Sequence, residues 1–223
     1  MISVRSTATS VGLLFVTTMV AGIIDSVIAM PILRGPLAGL QPQRGLILTG
    51  VFLVLYMSLG VVLLALLLYP ILKRHSNLIA SAYVAFRVIE ACLLILGAVA
   101  SLLMLEVSRR TPAAPGSGGG ATFGDLSALA FSARMLAYQV AMTILGFNGL
   151  AMCCLLHKAR LVPRAIADLG VVGYALLALS AVLAICGVLD TSGAGALLYA
   201  PGGLFELLVF PAWLIGKGFR TTD

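Results

Sequence analysis

The stretch Leu78–Leu105, LIASAYVAFRVIEACLLILGAVASLLML, decides the fold. A helix rises 1.5 Å per residue, so this run is long enough to cross the roughly 30 Å hydrocarbon core of a bilayer. Two of its residues, Arg87 and Glu90, do not belong in hydrocarbon. They lie three apart, so a helix places them on one face. A charge at that depth must be paired, reached by water, or put to use.

The rest of the chain repeats the apolar pattern. Of the 223 residues, 61% are hydrophobic and 10% charged. Soluble domains carry about 25% charged residues, and a soluble fold of this composition would expose large apolar patches. Six stretches have spanning length: residues 9–33, 45–72, 77–106, 126–156, 162–189 and 194–215. The expected fold is all-α, one integral membrane bundle of six transmembrane helices. The first apolar stretch reads as a retained helix rather than a cleaved signal, because Asp25 interrupts it and no small-x-small cleavage site follows.

The breaks between stretches have local causes. Pro31, Gly35, Pro36 and Pro42 are expected to end the first helix in a rigid turn. Residues 73–77 read as a tight polar hairpin, with Asn77 a candidate cap for the third helix. Residues 107–125 hold Pro112, Pro115 and a Gly-Ser-Gly-Gly-Gly run, and read as a flexible extracytoplasmic loop. Pro163 fits the first turn of the fifth helix. Gly22–Ser26 is similar to Gly187–Thr191, a weak internal repeat.

The net charge of +6 is not a nucleic-acid signal. The basic residues cluster at the ends of apolar stretches, as topology signals and lipid-headgroup contacts do. With cytoplasmic termini, Arg5, Lys73, Arg74, Lys158, Arg160, Arg164, Lys217 and Arg220 lie inside, while Arg34, Arg44, Arg109 and Arg110 lie outside. The positive-inside rule therefore favours both termini in the cytoplasm. The chain's partners are the bilayer and a small-molecule or lipid ligand, with no nucleic acid.

Depth counting gathers the polar residues. Arg87 lies about 14 Å, and Glu90 about 18 Å, from the inner end of its helix. Glu206 is about 14 Å into the sixth helix, between Pro201-Gly202-Gly203 and Pro211. Asn148 reaches a similar depth, and Tyr83 sits one turn before Arg87. Asp25 and Arg134 fall in the outer half. Each such charge facing lipid alone costs about 2.5–3.5 kcal/mol, so they must turn inward and meet. The expected arrangement is an inner network of Arg87, Glu90 and Glu206, and an outer ion pair of Asp25 with Arg134. Asn148 and Gln139 suit interhelical hydrogen bonds.

Other chemistries lack their residues. His75 and His157 sit at the inner boundary, so no zinc site or haem ligation is expected, and no cofactor. The glycine run has no following Lys-Ser or Lys-Thr and is not a phosphate loop. Cys92, Cys153, Cys154 and Cys186 form no CxxC and read as small buried hydrophobes. An enzyme would have to rely on carboxylate acid–base chemistry by Glu90 or Glu206 on a lipid-like substrate. The leading expectation is a protein that binds or translocates a small solute, lipid or proton, with Arg87 anchoring an anionic group and Glu90 and Glu206 accepting protons. The alternative is an accessory protein whose charges only fix helix packing.

The string Phe86-Arg87-Val88-Ile89-Glu90-Ala91, the turn Leu161-Val162-Pro163-Arg164, and Pro201–Phe219 with Glu206, Trp213, Lys217 and Gly218 carry a resemblance. Together they resemble the bacterial multi-pass membrane family catalogued as domain of unknown function 4386, from Arg5 to Phe219. The resemblance implies a six-helix protein of the bacterial cytoplasmic membrane and no activity. It maps the family's Arg and Glu onto Arg87 and Glu90, and its last-helix Glu onto Glu206. The glycine-rich loop looks longer than the family's.

Overall fold

Apolar sequence without strand-length alternation, and with few internal breakers, folds as long helices. The computed structural model describes residues 4–111, 120–189 and 194–220. Its helices are α1 (Val4–Leu33), α2 (Arg44–Lys73), α3 (Asn77–Arg110), α4 (Gly120–Ala159) and α5 (Arg164–Ile185). The sixth segment has three parts: α6 (Ala194–Leu204), a π-helical turn (Phe205–Val209) and α7 (Phe210–Gly216). Among the described residues, six helical segments are long and apolar enough to cross a membrane. Their outward faces stay apolar: Phe52, Leu59, Leu129 and Phe147 are mostly exposed. Such faces are stable against lipid and not against water.

The helices form a ring in chain order. Each of α1 to α5 packs on the next, and α5 packs on α6. Closure back onto α1 is made by the π turn and α7. The ring is filled at the end that carries the termini. There Phe210 stacks on Phe205 and meets Phe15 edge-on, among Leu64, Leu68, Leu72 and Leu214, all at most 2% exposed. Glycines let large rings into these contacts. A Cβ at Gly149 of α4 would land on the Tyr174 ring, and one at Gly170 of α5 on Phe205. Small residues are what allow helices to approach this closely.

Both ends of the bundle are tied. Arg5 Nη2 donates to the Gly216 carbonyl at 3.0 Å, and Arg220 N to Leu161 O at 2.8 Å. At the opposite end Gln41 Nε2 donates to Leu105 O at 2.7 Å, and Ser108 Oγ to Leu37 O at 2.8 Å.

Several sequence expectations need correction. Pro31 does not end α1; it lies inside it, two residues before its end at Leu33. Ser76, not Asn77, caps α3, accepting from Ile79 N. The expected loop 107–125 is too long at both edges. Helix α3 runs on to Arg110, where Glu106 pairs with both Arg109 and Arg110, and α4 already begins at Gly120. Pro112, Pro115 and Gly116–Gly119 lie outside the described residues, as do Asp190 and Thr191 of the weak repeat. Pro163 is the N-cap of α5 rather than part of its first turn. Helix α5 stops at Ile185, four residues early, because the chain turns through Gly187 at φ 70°. Only Cys153 is buried; Cys92, Cys154 and Cys186 are exposed. In a bundle surrounded by lipid, an apolar residue gains nothing by turning inward.

Candidate functional site

Toward the end opposite the termini the ring is not filled. A cavity of about 520 Å³ opens there, with residues from all six segments on its wall. It runs from Arg87, Glu90, Tyr174 and Glu206 to Arg34 at the far end of α1.

Helix α3 supplies the deeper cluster. Arg87 and Glu90 are each 2% exposed. Arg87 Nη1 donates to both Glu90 oxygens at 3.2 Å. On the other side of the guanidinium, Nε and Nη2 donate to Tyr83 Oη at 3.2 and 3.1 Å, and Nη2 lies 3.6 Å from Glu206 Oε1. The same Glu206 oxygen accepts from Tyr174 Oη at 2.6 Å. Three helical segments, α3, α5 and the π turn, therefore meet at one carboxylate. The π turn has a local origin. Pro211 lacks an N–H, and the chain compensates one residue earlier, where Phe210 N reaches back five residues to Phe205 O. Such bulges frequently mark functional positions.

The second cluster joins α1, α3 and α4. Arg134 Nη2 donates to Asp25 Oδ2 at 2.5 Å. Its Nη1 donates to Ser101 Oγ at 2.7 Å and Gly97 O at 3.3 Å, and its Nε faces Met30 Sδ at 3.4 Å. Asp25 Oδ1 is buried without a hydrogen-bond partner. It lies against Gly50 of α2, where a Cβ would collide with it.

The two clusters share one cavity, although their depths suggested two separate devices. Arg87, Glu90, Glu206, Asp25 and Arg134 all line it. Tyr83 and Asn148 are not on its wall. Tyr83 stands behind Arg87, and Asn148 Nδ2 donates to the Tyr83 carbonyl at 3.2 Å, joining α4 to α3. Gln139 does line the cavity and accepts from Tyr199 Oη at 2.8 Å.

Sequence reasoning missed Tyr174, which makes the shortest contact to Glu206, and Gly50. It also missed a wall of five methionines: Met19, Met30, Met57, Met135 and Met142. The only sequence signal for Tyr174 was a phenol in an apolar span beside Gly170 and Gly173. Nothing in the spacing links it to a residue 32 positions away.

The family described as Domain of unknown function (DUF4386) matches residues 10–218. The chain belongs to that family. The match takes in every charged residue of the cavity wall. No curated protein and no solved structure matches the chain.

Proposed function

We propose that this DUF4386 protein binds a small solute or lipid-like molecule in the central cavity, as part of moving it or responding to it. The cavity itself carries this reading. Its volume falls within the roughly 300–1,000 Å³ typical of ligand sites, and its wall concentrates the ionisable residues of the membrane interior, the default markers of function there. A pure clamp would be expected to be packed dry around its charges. The π turn, set between Pro201 and Pro211 beside Glu206, is the kind of broken helix found at transporter sites. The preference of basic residues for one side supports termini in the cytoplasm and a cavity facing away from it.

A structural role is favoured for one part of the wall. Arg134 donates to Asp25 of α1 and to Gly97 and Ser101 of α3, which fits a clamp that ties α4 to both helices.

Native mass spectrometry of the purified protein tests the binding reading. Wild type should carry a small molecule that the cavity-filling variant Met57→Trp has lost. Wild-type protein found bare in repeated gentle preparations would contradict it.

A further inference from the structure

The ring of helices is not closed along its whole height. Helix α1 packs on α2 and, near the end that carries the termini, on α7 and the π turn, whereas α6 packs on α5 and the π turn. Toward the open end, α1 and α6 face each other across the cavity. A Cβ at Gly203 of α6 would meet one atom of another helix, Met19 Cε at 4.0 Å. Farther along α1, Ile23 is 46% and Val27 68% exposed, yet both line the cavity. Among the described residues, the cavity therefore reaches the lipid-facing surface through a seam between α1 and α6.

The formal charges of the wall cancel, but they are not evenly paired. Asp25, Glu90 and Glu206 stand against Arg34, Arg87 and Arg134. Arg134 is held by Asp25, Ser101 and Gly97, and Arg87 by Glu90, Tyr83 and Glu206. Arg34 is exposed, and its side chain has no hydrogen-bond or ion-pair partner among the described residues. It also ends a stripe. The cavity-lining residues Met19, Ile23, Val27, Met30 and Arg34 recur every three or four positions, which is one face of a helix. That stripe runs about 22 Å along the helix axis, longer than the roughly 15 Å that one leaflet contributes to the hydrocarbon core. Its first four members are apolar, and its last, just past the end of α1, is a free guanidinium.

We propose that the seam between α1 and α6 holds an anionic amphiphile, its phosphate or carboxylate head on Arg34 and its chain along the α1 stripe. This rests on the reading that the cavity binds a ligand, and it names the class of that ligand and its way in, sideways from the leaflet farther from the termini. A guanidinium pairs with either head through two parallel hydrogen bonds, and methionine side chains mould to an irregular apolar chain. The anion anchor is then Arg34 at the mouth rather than Arg87, which is 2% exposed and directed at protein groups.

Two lipids with one chain and different heads test this: oleoyl lysophosphatidate, which carries a phosphate, and monooleoylglycerol, which carries none. Each is titrated into the purified protein, and the bound fraction is read by native mass spectrometry. Lysophosphatidate should bind with a stoichiometry of one and more tightly than the glyceride by about tenfold or more, the worth of one charge-assisted pair. Arg34→Gln should remove that preference, and Gly203→Phe, which fills the seam, should weaken both lipids. Excess inorganic phosphate should leave the bound lipid in place; displacement by phosphate would overturn the amphiphile in favour of a free anion. Equal affinity for the two lipids, both lost in Gly203→Phe, would overturn the anionic head and leave the binding reading standing. A phosphate preference that survives Arg34→Gln would overturn the site. Binding of neither lipid would overturn the whole proposal. In that case a different small-molecule adduct keeps the broader reading, and bare protein removes both. The two-lipid comparison on wild type does not depend on how well either variant folds.

Discussion

Arg87 and Arg134 sit on neighbouring helices, both buried, and are held in opposite ways. Arg134 faces one carboxylate and reaches two other helices, α1 through Asp25 and α3 through Gly97 and Ser101. Arg87 faces two carboxylates, and the second, Glu206, lies on the cavity wall. The ratio of acids to bases separates a clamp from a site. A matched pair locks helices together. A second acid on the same guanidinium, placed on the cavity wall, leaves part of the cluster within reach of a ligand.

The largest way to break this comparison is at Arg134. Arg134→Met should destabilise the protein by about 3–5 kcal/mol, because it leaves Asp25 buried and unpaired. Adding Asp25→Leu should recover most of that loss, since an apolar pair of similar volume is often neutral. Thermal or detergent-induced unfolding of the single and double variants gives the numbers. A single variant as stable as wild type would show that Asp25–Arg134 is not a clamp.

Gly50→Ala acts on the same pair from behind. The new Cβ would collide with Asp25 Oδ1 and Ala29 Cβ, for a loss of about 1–3 kcal/mol from overpacking. Gly45→Ala, with open space around it, should stay within about 0.5 kcal/mol. Equal effects in the two variants would remove the role assigned to Gly50.

The Arg87 cluster should respond more weakly in stability. Tyr174→Phe removes the hydroxyl that Glu206 Oε1 accepts from, worth about 1 kcal/mol. Glu206→Gln should cost less than about 1 kcal/mol, because the amide oxygen can still accept from Tyr174 and Arg87 keeps a matched partner in Glu90. Unfolding measured alongside the Arg134 variants would place all four on one scale. If Glu206→Gln is as damaging as Arg134→Met, the two clusters are alike and both are structural.

Much of this was legible in the sequence, and the limits are physical. Six spans can be read because bilayer thickness fixes helix length. The depths of Arg87, Glu90 and Glu206 can be counted because helical rise is constant. Which helices are neighbours cannot be counted. In a span apolar all round, lipid and core demand the same residue types, so periodicity does not reveal the buried face. That is why Cys92, Cys154 and Cys186 were placed inside, and why Tyr174 and Gly50 went unnoticed. Local signals also misled where tertiary contacts overrode them. Pro31 is accommodated within α1, and the surface pairs of Glu106 carry α3 past its expected end. The shared cavity follows only once the ring order is known.

Carbodiimide labelling of the purified protein measures the difference between the two clusters most directly. A hydrophobic carbodiimide, followed by peptide mass spectrometry, reports which membrane carboxyl groups are open. Glu206 should be modified well before Asp25 and Glu90. Labelling of Asp25 at least as fast as Glu206, or no labelling at Glu206, would contradict the division into a closed clamp and an open site.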